Sequence, residues 1–233
     1  MTRLAAGTLA ILLAACSDFT TTEGGIARLD VAAPVPAELE VGGSVTLRAA
    51  AIDENGDTLE IPIYWRSLDT TLIVDSVAGL VIGRTAGQTG RVVARAIDLY
   101  SNVITFSILR PADTVVRVSD SSVTVAAGVT ASPELVARVD GGDPLAPVQG
   151  RRVTYEVVQP IFASLDDRTV EFAGGLLAIS PRSSAQGTPE QPVTLRRRTG
   201  RTQPDTAVVD VHVYRPDGTL VAGSGFRFYV LFN

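Results

Sequence analysis

Apolar and polar residues alternate along most of this chain with a period of two, the signature of strands that bury one face. In the run 44–53, Val45, Leu47, Ala49 and Ala51 share one face, Thr46 and Arg48 share the other, and Ala50 falls between those classes. In 58–66, Ile61, Ile63 and Trp65 oppose Pro62, Tyr64 and Arg66. Further strand-like runs lie at 28–33, 71–75, 79–85, 90–97 and 102–109. Turn signals separate them: Gly42-Gly43, Asn55-Gly56, Ala78-Gly79, Gly87 to Gly90 and Ser101-Asn102. Arg110-Pro111-Ala112 then reads as a short, stiff junction that limits wide-angle motion between its neighbours. Beyond it, runs recur at 113–118, 122–126, 132–139, 151–158, 168–172, 175–180, 191–198, 205–214 and 219–231. Gly141-Gly142, Gly174-Gly175 and Pro216-Asp217-Gly218 mark the turns there, the last a hairpin signal. The pattern predicts an all-β chain of two tandem immunoglobulin-like β-sandwiches, at 26–110 and 111–233.

The first sixteen residues break this pattern. Arg3 precedes an apolar run through Leu4, Leu9, Ile11, Leu12 and Leu13. About 12 apolar residues are too few to span a bilayer, which takes ~20, but they suit the core of a signal peptide. Leu13-Ala14-Ala15-Cys16 follows, with small residues directly before the single cysteine. This stretch resembles the lipobox of bacterial lipoproteins. The resemblance implies a signal peptide at 1–15, cleavage before Cys16, and attachment of diacylglycerol to its sulfur. Each buried methylene contributes ~0.8 kcal/mol, so two or three acyl chains hold a protein firmly. Ser17 after the cysteine, where Asp is absent, implies the outer membrane by the same resemblance, although Asp18 follows one place later. The polar stretch after Cys16 completes a tether at 16–25, and its nine residues span roughly 15–18 Å on average.

The first domain carries a second resemblance. Leu39-Glu40-Val41-Gly42-Gly43-Ser44-Val45-Thr46-Leu47-Arg48-Ala49, then Asp53-Glu54-Asn55-Gly56-Asp57, are followed by Tyr64-Trp65-Arg66-Ser67-Leu68-Asp69 and Val77 to Gly87. In this order they resemble the bacterial group 2 immunoglobulin-like domains, departing from them at Gln88-Thr89-Gly90-Arg91. That family implies extracellular spacer or adhesion modules and no shared catalytic residue set. The second domain loosely echoes the first: Val123 to Gly128 parallels Leu39 to Gly43, and Val153 to Val157 parallels Ile61 to Trp65. It resembles the immunoglobulin-like superfamily only broadly, with no specific motif.

Composition narrows the chemistry. All 20 basic residues are Arg, which removes P-loop, Schiff-base and Ser–Lys lysines. One Cys and one His exclude multi-Cys or multi-His zinc sites within one chain. A net charge of −5 does not favour nucleic acid. His212 falls on the polar face of the strand 205–214 and reads as a solvated surface residue. Asp53, Asn55 and Asp57 have the spacing of opening calcium ligands, but Gly56 comes two places early and Tyr64 stands where the bidentate Glu belongs, so a hairpin turn explains them better. The pairs Asp166-Asp167 and Asp140 with Asp143 read as turn residues.

Trp65, on the Ile61/Ile63 face, is expected in the core, and Tyr64 opposite it is a candidate ligand contact. Arg196 and Arg198 are two more, for lipid phosphates, lipopolysaccharide or an acidic partner; alternation puts Arg197 on the other face. Arg201, and with it Arg151-Arg152, could extend that basic feature. The expectation is a non-enzymatic envelope lipoprotein with no cofactor and no metal site, held at the membrane through Cys16 and serving adhesion or scaffolding toward an unidentified protein or glycan. The alternative is a module that binds cell-wall or extracellular polysaccharide. Mass spectrometry of the membrane-extracted N-terminal peptide should find an acylated Cys16; an unmodified thiol would overturn the anchor.

Overall fold

The computed structural model describes residues 25–164, 166–198, 200 and 206–233. The signal peptide, Cys16, all of the tether before Gly25, and Arg201 lie outside the described residues. Every regular element described is a strand. The first sandwich contains β1 (Ile26–Ala32), β2 (Glu38–Glu40), β3 (Ser44–Thr46), β4 (Arg48–Asp53), β5 (Thr58–Leu59), β6 (Tyr64–Ser67), β7 (Leu72–Val74), β8 (Leu80–Gly83), β9 (Gln88–Ala96), β10 (Leu99–Tyr100) and β11 (Ile104–Leu109). One layer joins β6, β9, β10, β11 and β2; the other consists of β1-β4-β5 and β3-β8-β7. Leu39, Trp65, Val92, Ala94, Phe106 and Ile108 from the first layer meet Leu47, Leu72 and Val81 from the second. All of these are the inward positions of alternating strands, as the period of two requires.

Two sequence runs are interrupted, each for a local reason. The alternation over 44–53 serves two sheets: β3 pairs with β8, whereas β4 pairs with β1. Leu47 sits at the switch, buried, with its N–H bonded to the Gly79 carbonyl at 2.9 Å. The run 58–66 loses its ladder between β5 and β6, a stretch that includes Pro62, which has no N–H to donate. Its side chains still alternate, and Trp65 ends in the core at 6 % exposure. Gly79 packs beneath that indole at φ +68°, where a Cβ would lie 2.7 Å from Trp65 Nε1. β2 escaped the sequence reading, because one leucine between two glutamates shows no apolar periodicity; it pairs in parallel with β11.

The second sandwich contains β12 (Thr114–Arg117), β13 (Ser122–Val125), β14 (Ala137–Gly141), β15 (Ala146–Pro147), β16 (Val153–Gln159), β17 (Val170–Glu171), β18 (Ala178–Ile179), β19 (Arg196–Arg197), β20 (Thr206–Val213) and β21 (Phe226–Phe232). A five-stranded sheet, β13-β21-β20-β16-β18, lies over β12-β14-β15 and the pair β17-β19. Val209, Val211, Val213, Tyr155 and Phe228 from the large sheet pack with Val115, Val139, Val170 and Leu195. The expected strand at 219–231 is corrected. Leu220 closes the predicted hairpin against Tyr214, then Gly223 and Gly225 turn the chain at positive φ before β21 begins. The run at 132–139 likewise becomes regular only at Ala137.

Tyr155 ties the two layers of this sandwich together. Its hydroxyl, fully buried, accepts from the Ala137 N–H at 3.1 Å, and burial pushes the phenol pKa up. Tyr155→Phe should cost roughly 1–3 kcal/mol in urea unfolding, because it leaves a buried N–H without that acceptor. No measurable cost would show that the bond contributes nothing.

Candidate functional site

A cluster of ionised side chains lies where the two sandwiches meet. Glu38 and Glu40 flank the buried Leu39 on β2, so both carboxylates leave the same face of the strand. Arg151 and Arg152 stand at the entrance to β16, Arg182 follows β18, and Arg215 follows β20. Arg151 is 2 % exposed; its Nη2 donates to Glu40 Oε1 and, at 2.9 Å, to the Arg110 carbonyl. The Arg151 N–H bonds to Ser183 Oγ at 2.9 Å, which fixes the backbone behind the guanidinium. Burial pushes the Arg151 pKa down, opposed chiefly by Glu40. Arg182 Nη2 donates to Glu38 at 2.6 Å, and Arg215 Nη2 donates to the Ala112 carbonyl at 3.0 Å. The junction is therefore held by charge-assisted bonds from both sides.

The residues named from sequence fall in several places. Arg151 and Arg152 do not extend the Arg196–Arg198 feature, since both turn to the junction glutamates instead. Arg196 is exposed on β19 and pairs with Glu171 in register. Arg197 takes the opposite course: its Nη2 donates to the Asn233 carbonyl at 2.7 Å and its guanidinium lies 5.3 Å from the Phe232 ring centroid. Arg198 Nη1 donates to the Asp166 carbonyl at 3.0 Å, so it braces the loop ahead of β17. His212 is corrected from solvated to half-buried. Its Nδ1 is buried without a hydrogen-bond partner among the described residues, and Asp210 lies 3.9 Å from its Nε2. Arg227 already holds Asp210 at 2.7 Å. Asp53 Oδ1 accepts from the N–H groups of Asn55 and Asp57, at 2.9 and 2.8 Å, so its carboxylate closes the predicted turn. Asp140 is a correction too: it is buried and accepts from Arg138 Nε at 2.9 Å.

Tyr64 has company that sequence reading missed. Arg95 on β9 lies directly opposite both Tyr64 and Tyr100, which makes a row of two rings around one guanidinium on the outer face. Both rings are 52 % exposed, and Arg95 lies 5.6 Å from the Tyr100 centroid. Their separation in sequence hides the row, because only strand register brings 64, 95 and 100 side by side.

No protein-family model matches the chain, and a search of curated proteins finds no match. Among solved structures, it is similar to the Yersinia pseudotuberculosis adhesin InvE, at 16 % identity and TM-score 0.40 over 88 % of this chain and 58 % of that one. It thus spans little more than half of the adhesin's length. Fibronectin(III)-like modules of Clostridium thermocellum CbhA match at 15 % identity and TM-score 0.38, over 88 % of this chain and 94 % of that one. Domains 4 and 5 of the S-layer protein SbsC match at 14 % and 0.33, over 89 % and 98 %. The all-β, two-sandwich architecture itself rests on the strand pairing described above.

Glu40→Ala would strand a buried guanidinium, a change that costs about 3–5 kcal/mol. Calorimetry should show a lower transition temperature and a split into two transitions; an unaltered single transition would contradict the clamp. Acid should also weaken the fold. Asp69 is held below its ordinary pKa by the Arg91 side chain, and Asp75 by the N–H groups of Ala78 and Val77. Depressed pKa values mean that this stabilisation is complete above about pH 4 and is lost as pH falls through the lowered values. A transition temperature that stays constant from neutral pH down to about 2 would refute that dependence.

Proposed function

We propose that this chain is a non-enzymatic envelope lipoprotein whose two sandwiches form an adhesion or scaffolding module, anchored through Cys16 in the outer membrane. The first sandwich is read as the group 2 type and the second as its divergent partner. The observation that carries this reading is the polarity of the molecule. Ile26, the first residue of β1, lies beside the Ala96–Leu99 turn, whereas Gln88 at the other end of β9 borders the junction. The nine residues of β9 cover about 30 Å at ~3.3 Å each. A lipid tether therefore enters one pole of the first sandwich, and the second sandwich stands beyond the opposite pole. An ion-paired clamp between them suits display away from a surface, since it fixes position without needing a mobile cleft.

The candidate contacts fit the same reading. Tyr64, with Arg95 and Tyr100, presents toward the tether pole, while Arg196 and Arg198 belong to the far sandwich. Each would serve as a binding contact and none as a catalytic group. Membrane fractionation and complementation test the proposal together. The wild-type protein should sediment with outer membranes and restore the adherence or envelope integrity of a deletion strain, and Cys16→Ser should do neither. Full rescue by a secreted, unlipidated form would overturn anchored display.

A further inference from the structure

Beside the clamp lies a recess of about 380 Å³, walled on one side by the 34–36 segment of the first sandwich and on the other by the outer face of the second. Arg151, Arg152, Arg215, Thr154, Ser180 and Tyr214 line it, together with Glu38. Its volume falls at the lower end of the range for small-molecule sites.

Charge around the clamp and its adjoining recess does not balance. Four guanidiniums, those of Arg151, Arg152, Arg182 and Arg215, lie within ion-pair distance of two carboxylates, Glu38 and Glu40. Asp217 also feels Arg215, but its Oδ1 is turned to the backbone and hydroxyl of Thr219 at 2.9 and 2.7 Å. The excess is positive, in a partly buried place where unneutralised charge is costly. One donor there remains unspent. Arg152 is half exposed, and its closest carboxylate oxygen, on Glu38, stands at 3.9 Å, beyond hydrogen-bond reach. The hydroxyls of Thr154 and Ser180 meet each other at 3.0 Å on the same wall, so they too can turn to an acceptor.

We infer that this recess is a binding site for an oxyanion, the phosphate or carboxylate of a small ligand. Arg152 is its principal donor, with the hydroxyls of Thr154, Ser180 and Tyr214 at the sides. A guanidinium with open donors matches a phosphate or carboxylate in pairs of parallel N–H···O bonds, which a lone hydroxyl cluster cannot supply. These donors all belong to the second sandwich, and the 34–36 segment of the first forms the facing wall. The site requires neither the lipid anchor nor the adhesive role.

Isothermal titration calorimetry on the two-sandwich protein, in low-chloride buffer, tests this with inorganic phosphate, glucose 6-phosphate and glucose. Both phosphates should bind one per chain with millimolar or tighter affinity and raise the unfolding temperature. Glucose should bind to neither wild type nor variant. Arg152→Gln should weaken phosphate binding roughly tenfold to a hundredfold, while Arg28→Gln on the remote face of β1 leaves it unchanged. Equal affinities for the two phosphates identify a free oxyanion as sufficient; tighter binding of the ester brings the hydroxyl wall into recognition. Absence of phosphate binding, retention of full affinity in Arg152→Gln, or glucose binding as tight as its phosphate would each overturn the site.

Discussion

A guanidinium sealed from water against one carboxylate is the constraint on which the two-sandwich arrangement depends. Removing the Arg151 guanidinium from solvent carries a desolvation cost that only close partners offset, and the first sandwich supplies them: the Glu40 carboxylate and the Arg110 carbonyl. Because Arg151 belongs to the second sandwich and those partners to the first, any hinge motion that separates the domains must expose or orphan the charge. The junction is thus stiffer than the three-residue connection Arg110-Pro111-Ala112 would make it alone.

This constraint also organises what lies around it. Holding β2 by its glutamates places a charged, three-residue edge strand at the interface, where its unpaired edge is covered instead of being open to another chain. The same arrangement leaves more guanidiniums than carboxylates in the groove, which turns a structural joint into a place able to attract anions. Structure and recognition share one cluster because Arg offers five donors and the joint uses only some of them.

Most of the core was legible in the sequence, since alternation is a local signal and strand burial follows it. Trp65, Leu47, Val209 and Val211 lie inward as their spacing predicts, and Asn55-Gly56 turns where its residue types require. Features set by distant pairing were not legible. Glu40 and Arg151 are separated by more than a hundred residues, and nothing in either neighbourhood signals the other. Read locally, Arg151-Arg152 belonged with the Arg196 triplet, and only the fold reveals their actual partners. The row of Tyr64, Arg95 and Tyr100 was half visible: Tyr64 was marked by its polar-side position, but its neighbours depend on register. His212 was misjudged for a similar reason, because an outward strand position can still be covered by the side chains beside it. The 219–231 run failed through glycine, where two positive-φ residues redirect a chain whose apolar content looked continuous.

The proposed display role depends on the two sandwiches holding a fixed mutual orientation. Backbone 15N relaxation on the two-sandwich protein tests this most directly. A common rotational tumbling time, with one shared diffusion axis for residues of both sandwiches, is what the Arg151–Glu40 joint predicts. Separate, faster tumbling of each sandwich would contradict it.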